Sequence, residues 1–314
     1  MFNTIYQIIR TARIRQWLKN FSLLAAPLFA GTLFKNDIFF LSMKAFISFS
    51  FIASGIYFIN DIVDAPRDRR HPIKKNRPIA SGKLSVKIAA AAACLLISSS
   101  LVFSYFYIGT YYTVSLIFYL LMQLSYSFYF RNIIILDSLV VATGFVIRVF
   151  AGGLASMTSV SSWLALATIG VSMLLAFGKR RSEKTILAKY VGEEASETRR
   201  TLRHYPDALL DSMLSMSAAY TIITYSLFVF QISPEIAGSG WLNLLPSILK
   251  SPKWMMLTIP IVIYGVARYL YVIYEKEEGE SPERVLLSDK PLLIAMVIWG
   301  TATLFTIYLF PLLS

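Results

Sequence analysis

Charged residues make up only 15% of this 314-residue chain, against about a quarter in a typical soluble domain. That shortage excludes an ordinary water-soluble enzyme and a disordered chain. Acid is scarcer than base: 18 Asp and Glu face 30 Lys and Arg, a formal net charge of +12. In a soluble protein such an excess points to nucleic acid. Here the cations lie between long apolar runs, the pattern of a membrane protein whose basic loops stay inside, so no nucleic-acid partner is expected. A single cysteine, Cys94 in the run AAAACLLISSS, excludes an internal disulfide and reads as inert packing. Histidine is nearly missing too. His71 precedes a proline and reads as a loop hydrogen-bonder, and His204 carries no motif.

What is abundant is apolar: 56% of residues are hydrophobic and 14% aromatic, with a mean hydropathy of +0.60. A spanning helix needs about 20 mostly apolar residues. The runs predict an all-α integral membrane protein, one domain over 1–314, with nine spans near 18–35, 38–59, 85–106, 111–130, 133–154, 160–178, 211–232, 254–274 and 291–311. The first is the weakest, interrupted by Pro27 and Gly31. The basic N-terminus does not read as a cleaved signal peptide, because the span behind it belongs with the bundle. Nine spans from a cytoplasmic N-terminus put 25 cations inside and four outside (Lys35, Lys44, Lys250 and Lys253), with Arg148 within a span. That asymmetry predicts a plasma-membrane protein with its N-terminus inside, its C-terminus outside and its polar chemistry on the cytoplasmic face. The two richest basic loops follow spans two and six, which hints at two four-helix repeats plus a ninth helix. Residues 236–249 read as a short interfacial helix on the outer side, with Trp241 at headgroup depth.

The most informative stretch is YFINDIVDAPRDRRHPIKKNRPIASGKLS, residues 57–85. Asn60, Asp61, Asp64 and Asp68 fall within about 100° of arc on one helical face at the cytoplasmic end of span two. Pro66 threatens to kink or end the helix before Asp68. Three crowded carboxylates call for a cation, and oxygen-only ligands favour Mg²⁺ held by one or two carboxylates plus substrate phosphates. The following Arg67, Arg69, Arg70, Lys74, Lys75 and Arg77 offer charge-assisted bonds to phosphate. The alternative is a solvated loop whose acids and bases neutralise one another. The unusual spacing favours a Mg²⁺–diphosphate site, with Asn60, Asp64 and Asp68 on the metal and Asp61 as ligand or orienter.

The pattern N-D-x-x-D-x-x-x-D after the second of nine spans resembles the UbiA superfamily of intramembrane transferases, over nearly the whole chain. That resemblance implies a bundle with a cytoplasm-facing active-site cavity, in which a diphosphate donor held through Mg²⁺ passes its carbon group to an acceptor. Prenyl-transferring members carry a second Asp-rich motif after span six. This chain has GKRRSEKTILAK there, residues 178–189, with Glu183 as its only acid. Five blocks instead resemble the decaprenyl-phosphate phosphoribosyltransferase branch: RIRQWLKN (13–20), NDIVDAPRDRRHPIKKNRPIASG (60–82), GFVIRVFAGG (144–153), GKRRSEK (178–184) and GESPERVLLSD (279–289). This branch implies 5-phosphoribosyl diphosphate as donor, polyprenyl phosphate as acceptor and pyrophosphate as by-product. An acceptor that is already anionic needs no strong general base, which suits a chain with two histidines.

By resemblance Lys19 binds donor phosphate and joins Asp64 in the catalytic set; as a bare residue it is also a plausible membrane anchor. Lys75 and Arg77 are assigned to phosphate or to the loop's own acids. Lys179 and Arg180 are candidates for the donor 5-phosphate or the acceptor phosphate, with Glu183 orienting one of them; ordinary cytoplasmic anchoring is the alternative. Tyr57, one turn before Asp61, reads as packing. Arg148 lies deep in span five, where ionisable side chains are expensive and usually functional. It either binds a buried polar group of the cavity or snorkels outward. Asp137 shares its face but lies too far along the axis to pair with it. The acidic loop 275–291 is a lid or a solvated connector. Two rival functions stand beside the main one: a prenyltransferase acting on an aromatic or quinone precursor, and a transporter, which would place its polar groups nearer the midplane. Monomer and homo-oligomer are both open.

Overall fold

In hydrocarbon a backbone has no polar partner but itself, so long apolar runs become helices. A computed structural model of the chain describes residues 2–70, 74–189, 205–232, 253–276, 285, 288–309 and 311, and among these there is no strand. The expected outer helix at 236–249, both histidines and most of the 275–291 loop lie outside the described residues. The elements are α1 (Phe2–Ala12), a 3-10 segment (Ile14–Leu24), α2 (Ala25–Phe29), α3 (Asn36–Asp68), α4 (Val86–Tyr107), α5 (Thr110–Phe128), α6 (Leu136–Ser156), α7 (Ser162–Lys189), α8 (Asp207–Ile232), α9 (Ile259–Tyr271) and α10 (Lys290–Leu304).

Among the described residues seven helical stretches are long and apolar enough to cross a membrane: α3, α4, α6, α7, α8, Trp254–Glu275 around α9, and Lys290–Leu309 around α10. Two of the nine expected spans take another form. Residues 18–35 are not one α-helix. Arg13 turns left-handed (φ 53°), the chain then runs as 3-10 helix to Leu24, and α2 lasts five residues before Gly31 (φ 69°). At the rises of the two helix types the segment still covers about 30 Å, the thickness of the hydrocarbon core. Helix α5 is continuous, but its tyrosines, serines and threonines together with Gln123 dilute its apolarity.

Helix α3 is 33 residues long and runs through Pro66 to Asp68. The helix continues for two residues past Pro66, so Asp68 keeps its helical register. At 1.5 Å per residue α3 spans about 50 Å, longer than a hydrocarbon core of about 30 Å.

The pairs α3–α4 and α7–α8 lie side by side, and α6 packs against α2, α3, α5, α7 and the 3-10 segment. Its closest approach is glycine-dependent. A Cβ on Gly152 would lie 1.8 Å from the Leu23 carbonyl oxygen and 2.8 Å from its Cα, so α6 rests directly on the 3-10 backbone. Backbone cannot swing aside as a side chain can. Gly152→Ala is therefore expected to destabilise the fold by at least about 3 kcal/mol, the upper end for overpacking, and to lower the thermal midpoint in detergent. Gly300→Ala, inside α10 with nothing within 4 Å of its new methyl, is the control expected not to lower that midpoint, because alanine favours the helix.

Candidate active site

The C-terminal end of α3 presents its four polar residues on one face, and three guanidinium groups from three separate segments meet them. Arg13, at the junction of α1 and the 3-10 segment, is ion-paired with Asp61 and lies over the Tyr57 ring, 4.9 Å from its centroid. Arg77, from the loop after α3, bridges Asp61 at 3.2 Å and Asp68 at 2.7 Å. Arg131, from the α5–α6 turn, donates from one Nη to both oxygens of Asp64 at 2.8 and 2.9 Å. Asn60 Oδ1 accepts from Ser127 Oγ of α5 at 2.5 Å. Asp61 and Asp68 are buried, and Asp64 is partly open.

The donor set has the right chemistry for Mg²⁺, being oxygen throughout. It is not a preformed cage: among the described residues no three His, Cys, Asp or Glu side chains converge to hold a metal ion. A hard cation that keeps substrate oxygens in its shell needs only one or two carboxylates from the protein. Asp64 and Asp68, one turn apart and close enough to repel each other, meet that smaller requirement.

The basic residues expected at the site divide by environment. Lys19 is half-buried on the 3-10 segment and near enough to Tyr119 of α5 to act on it electrostatically. Lys75 is exposed. Lys179 lies 4.0 Å from Glu183. Arg180 is only 2% exposed and already engaged: 2.6 Å from Asp137, 2.6 Å from Glu183 and 3.0 Å from the Tyr126 hydroxyl. Burial thus makes Arg180 part of an internal network joining α5, α6 and α7. Asp137, expected to share a face with Arg148 without reaching it, finds its cation in Arg180.

Arg148 does not snorkel. It is 5% exposed, donating from Nε to Asn20 Oδ1 at 2.9 Å, from one Nη to the Gly144 carbonyl at 2.7 Å and from the other to the Tyr119 hydroxyl at 2.6 Å. Phe49, Tyr119 and Phe145 surround its guanidinium with ring centroids at 5.2, 4.9 and 5.4 Å. No carboxylate pairs with it among the described residues. Asn20 passes the contact on to Ser50 of α3 at 2.9 Å, and Trp17 donates to Ser54 at 3.0 Å. The segment carrying Arg13 and Lys19 is thereby tied to both α3 and α6.

Sequence reasoning left Arg13 and Arg131 among the general inside cations. Arg131 had a signal: it is the one charge between the end of α5 and Asp137. Arg13 opens the block RIRQWLKN but drew no role of its own, because its reach depends on the left-handed turn.

Residues 20–297 match the UbiA prenyltransferase family. The chain belongs to that family. Among curated relatives, the decaprenyl-phosphate phosphoribosyltransferase of Corynebacterium glutamicum is 31% identical over 307 residues, covering 97% of this chain and 87% of that one. Its counterpart in Mycolicibacterium smegmatis is 34% identical over 301 residues, covering 95% and 91%. Among solved structures, a UbiA homologue from Archaeoglobus fulgidus bound to GPP and Mg²⁺ superposes with a TM-score of 0.63 at 18% identity, covering 96% of this chain and 99% of that one. At that identity the likeness speaks for the fold, and this UbiA-family chain shares it: all-helical, multi-pass and apolar on its outside.

Proposed function

We propose that this chain transfers 5-phosphoribose from 5-phosphoribosyl diphosphate to a polyprenyl phosphate. The observation that carries the reading is the 34% identity, over 95% of the chain, to a relative named for that activity. The basic site agrees with it. Donor diphosphate, donor 5-phosphate and acceptor phosphate bring three anionic groups; Arg13, Arg77 and Arg131 meet the carboxylate face, and Lys19, Lys75 and Lys179 are the further cations this reading assigns to phosphate. The bond from the anomeric carbon to pyrophosphate breaks with its electron pair staying on pyrophosphate, and an oxygen of the acceptor phosphate forms the new bond to that carbon. No proton needs to be removed from the acceptor.

In this reading Asp64 and Asp68 hold Mg²⁺, with Asn60 and Asp61 beside them. What the ion supplies when bound is neutralisation of charge on the leaving group. Arg77 and Arg131, freed from the carboxylates, turn to diphosphate oxygens, where a planar fork suits phosphate geometry. Lys19 takes donor phosphate, and Arg180 with Glu183 acts by positioning. The remaining work is orientation and electrostatic stabilisation. The 3-10 entry segment and α5 join the seven apolar stretches as a bundle of nine, its site facing a cytoplasmic cavity and its N-terminus inside. The 25-to-4 cation asymmetry supports that orientation.

The test uses purified protein in nanodiscs with polyprenyl phosphate, Mg²⁺ and labelled 5-phosphoribosyl diphosphate. Label is expected in the lipid phase, and chelation of the metal is expected to abolish it. Should label stay in water while a prenyl diphosphate reacts with an aromatic acid, the chain is a prenyltransferase instead.

A further inference from the structure

Ile135 leads into α6 with φ 69° and ψ −50°, and the amide of Leu136 donates to the carbonyl of Ile134 at 2.8 Å. This is a γ-turn of the positive-φ form, rare and strained for any L-residue and least natural for a β-branched one. Such strain persists only where the surroundings over-determine it, and it gathers at ligand clamps and switch regions. The Asp137 amide closes the turn onto the Ile133 carbonyl at 3.0 Å, and one phenol adds a side-chain constraint from 70 residues away. Tyr205 Oη accepts from the Ile135 amide at 2.6 Å and donates to Asp137 Oδ1 at 2.5 Å. Its two bonds straddle the strained residue.

Tyr205 is itself fixed. It is 1% exposed, and its backbone carbonyl accepts from Lys184 Nζ at 2.6 Å. Asp137 is held from its other oxygen by Arg180 at 2.6 Å. Burial, with the Asp137 carboxylate beside it, pushes the phenol pKa up to about 12, so the hydroxyl keeps its proton at any working pH. On the far side of the turn, four residues before Ile135, Arg131 holds Asp64. The short 3-10 turn Phe130–Asn132 links the two, closed by the Ile133 amide donating to the Phe130 carbonyl at 3.1 Å.

We propose that Tyr205 is a positioning residue, which holds the strained turn at Ile135 and thereby sets Arg131 on the Asp64 side of the site. The kinetic readout rests on the phosphoribosyl reading above; the structural readout does not. Without the phenol oxygen the Ile135 amide loses its acceptor, the turn relaxes to negative φ, and Arg131 is carried off its mark.

The experiment compares the parent with Tyr205→Phe, Tyr205→Phe/Ile135→Gly, Arg131→Lys and Arg131→Lys/Tyr205→Phe, all full-length in nanodiscs. Tyr205→Phe is expected to raise the donor KM about tenfold, the scale of one lost hydrogen bond, with kcat and the acceptor KM within about twofold. Glycine adopts the positive φ without support, so adding Ile135→Gly is expected to bring the donor KM back to within about threefold of the parent. In the Arg131→Lys background Tyr205→Phe is expected to add nothing, as for two residues acting through one contact. Hydrogen exchange across 129–138 should quicken at least about tenfold in Tyr205→Phe and slow again in the glycine double variant.

Unchanged exchange overturns the proposal. So does absence of glycine rescue, an equal effect of Tyr205→Phe in both Arg131 backgrounds, or a lower thermal midpoint with the donor KM unmoved. Should Tyr205→Phe fail to fold, the glycine double variant is expected to fold, and failure of both is also against the proposal. A parent that transfers no phosphoribose sinks the functional reading alone, because the exchange comparison still decides the role of Tyr205.

Discussion

Asp64→Asn is expected to lower phosphoribosyl transfer about 10³-fold in kcat, close to 4 kcal/mol of lost transition-state stabilisation. The substitution is nearly isosteric and removes one charge from the most open of the three carboxylates. Its ion-pair partner is Arg131, at 2.8 Å, and arginine has a second use once diphosphate is present. The loss should therefore appear in the chemical step and in a raised Mg²⁺ requirement, with little change in the thermal midpoint. Asp61→Asn is the instructive contrast. Asp61 is 3% exposed and shared by Arg13 and Arg77, so its neutralisation takes the counter-charge from Arg13 and leaves Arg77 with Asp68 alone. Asp61 is buried but its two arginines are more than a quarter exposed, so solvent screens part of the loss, and Asp61→Asn is expected to lower the midpoint more than the turnover. Label transfer at saturating donor, beside thermal melts of both proteins, separates the two. Equal losses of turnover with unchanged melts would place both acids on the metal and rule out a structural role for Asp61.

The helices and the carboxylate face were legible in the sequence for one reason: both are periodic. Apolar runs of membrane length and a polar repeat every three to four residues survive any detail of packing, and α3 carries Asn60, Asp61, Asp64 and Asp68 in the expected register even across Pro66. What escaped was non-periodic. The first expected span is a 3-10 segment because Arg13 turns left-handed and Gly152 lets α6 press onto the Leu23 backbone. Neither event leaves a pattern in the local sequence. The arginines that meet the carboxylates come from positions 13, 77 and 131, and pairing across such distances depends on how loops fold over the end of the bundle. Arg180 shows the converse. Its motif and its place after an apolar span suggested a phosphate ligand, yet Asp137, Glu183 and Tyr126 surround it in the interior.

Arg148 carries the other large expected effect, and energetic magnitudes decide its form. Burying a guanidinium without a counter-anion costs several kcal/mol. Its three hydrogen bonds and the ring faces of Phe49, Tyr119 and Phe145 offset that cost, and exchanging such a buried ion for an apolar side chain of similar length is often close to neutral. Arg148→Met is accordingly expected to shift the thermal midpoint by only a few degrees, while lowering kcat/KM for polyprenyl phosphate about 10²-fold. The loss has two sources. A buried cation with no carboxylate partner among the described residues is removed, and Asn20 loses the bond that ties the 3-10 segment to α6. Arg148→Lys restores the charge without the fork, since one ammonium on a flexible stem does not reach Asn20, Gly144 and Tyr119 together. It is expected to recover about tenfold of the lost kcat/KM. If both variants instead melt far below the parent and the surviving folded fraction turns over normally, Arg148 is a scaffold residue and the acceptor phosphate binds nearer the carboxylate face.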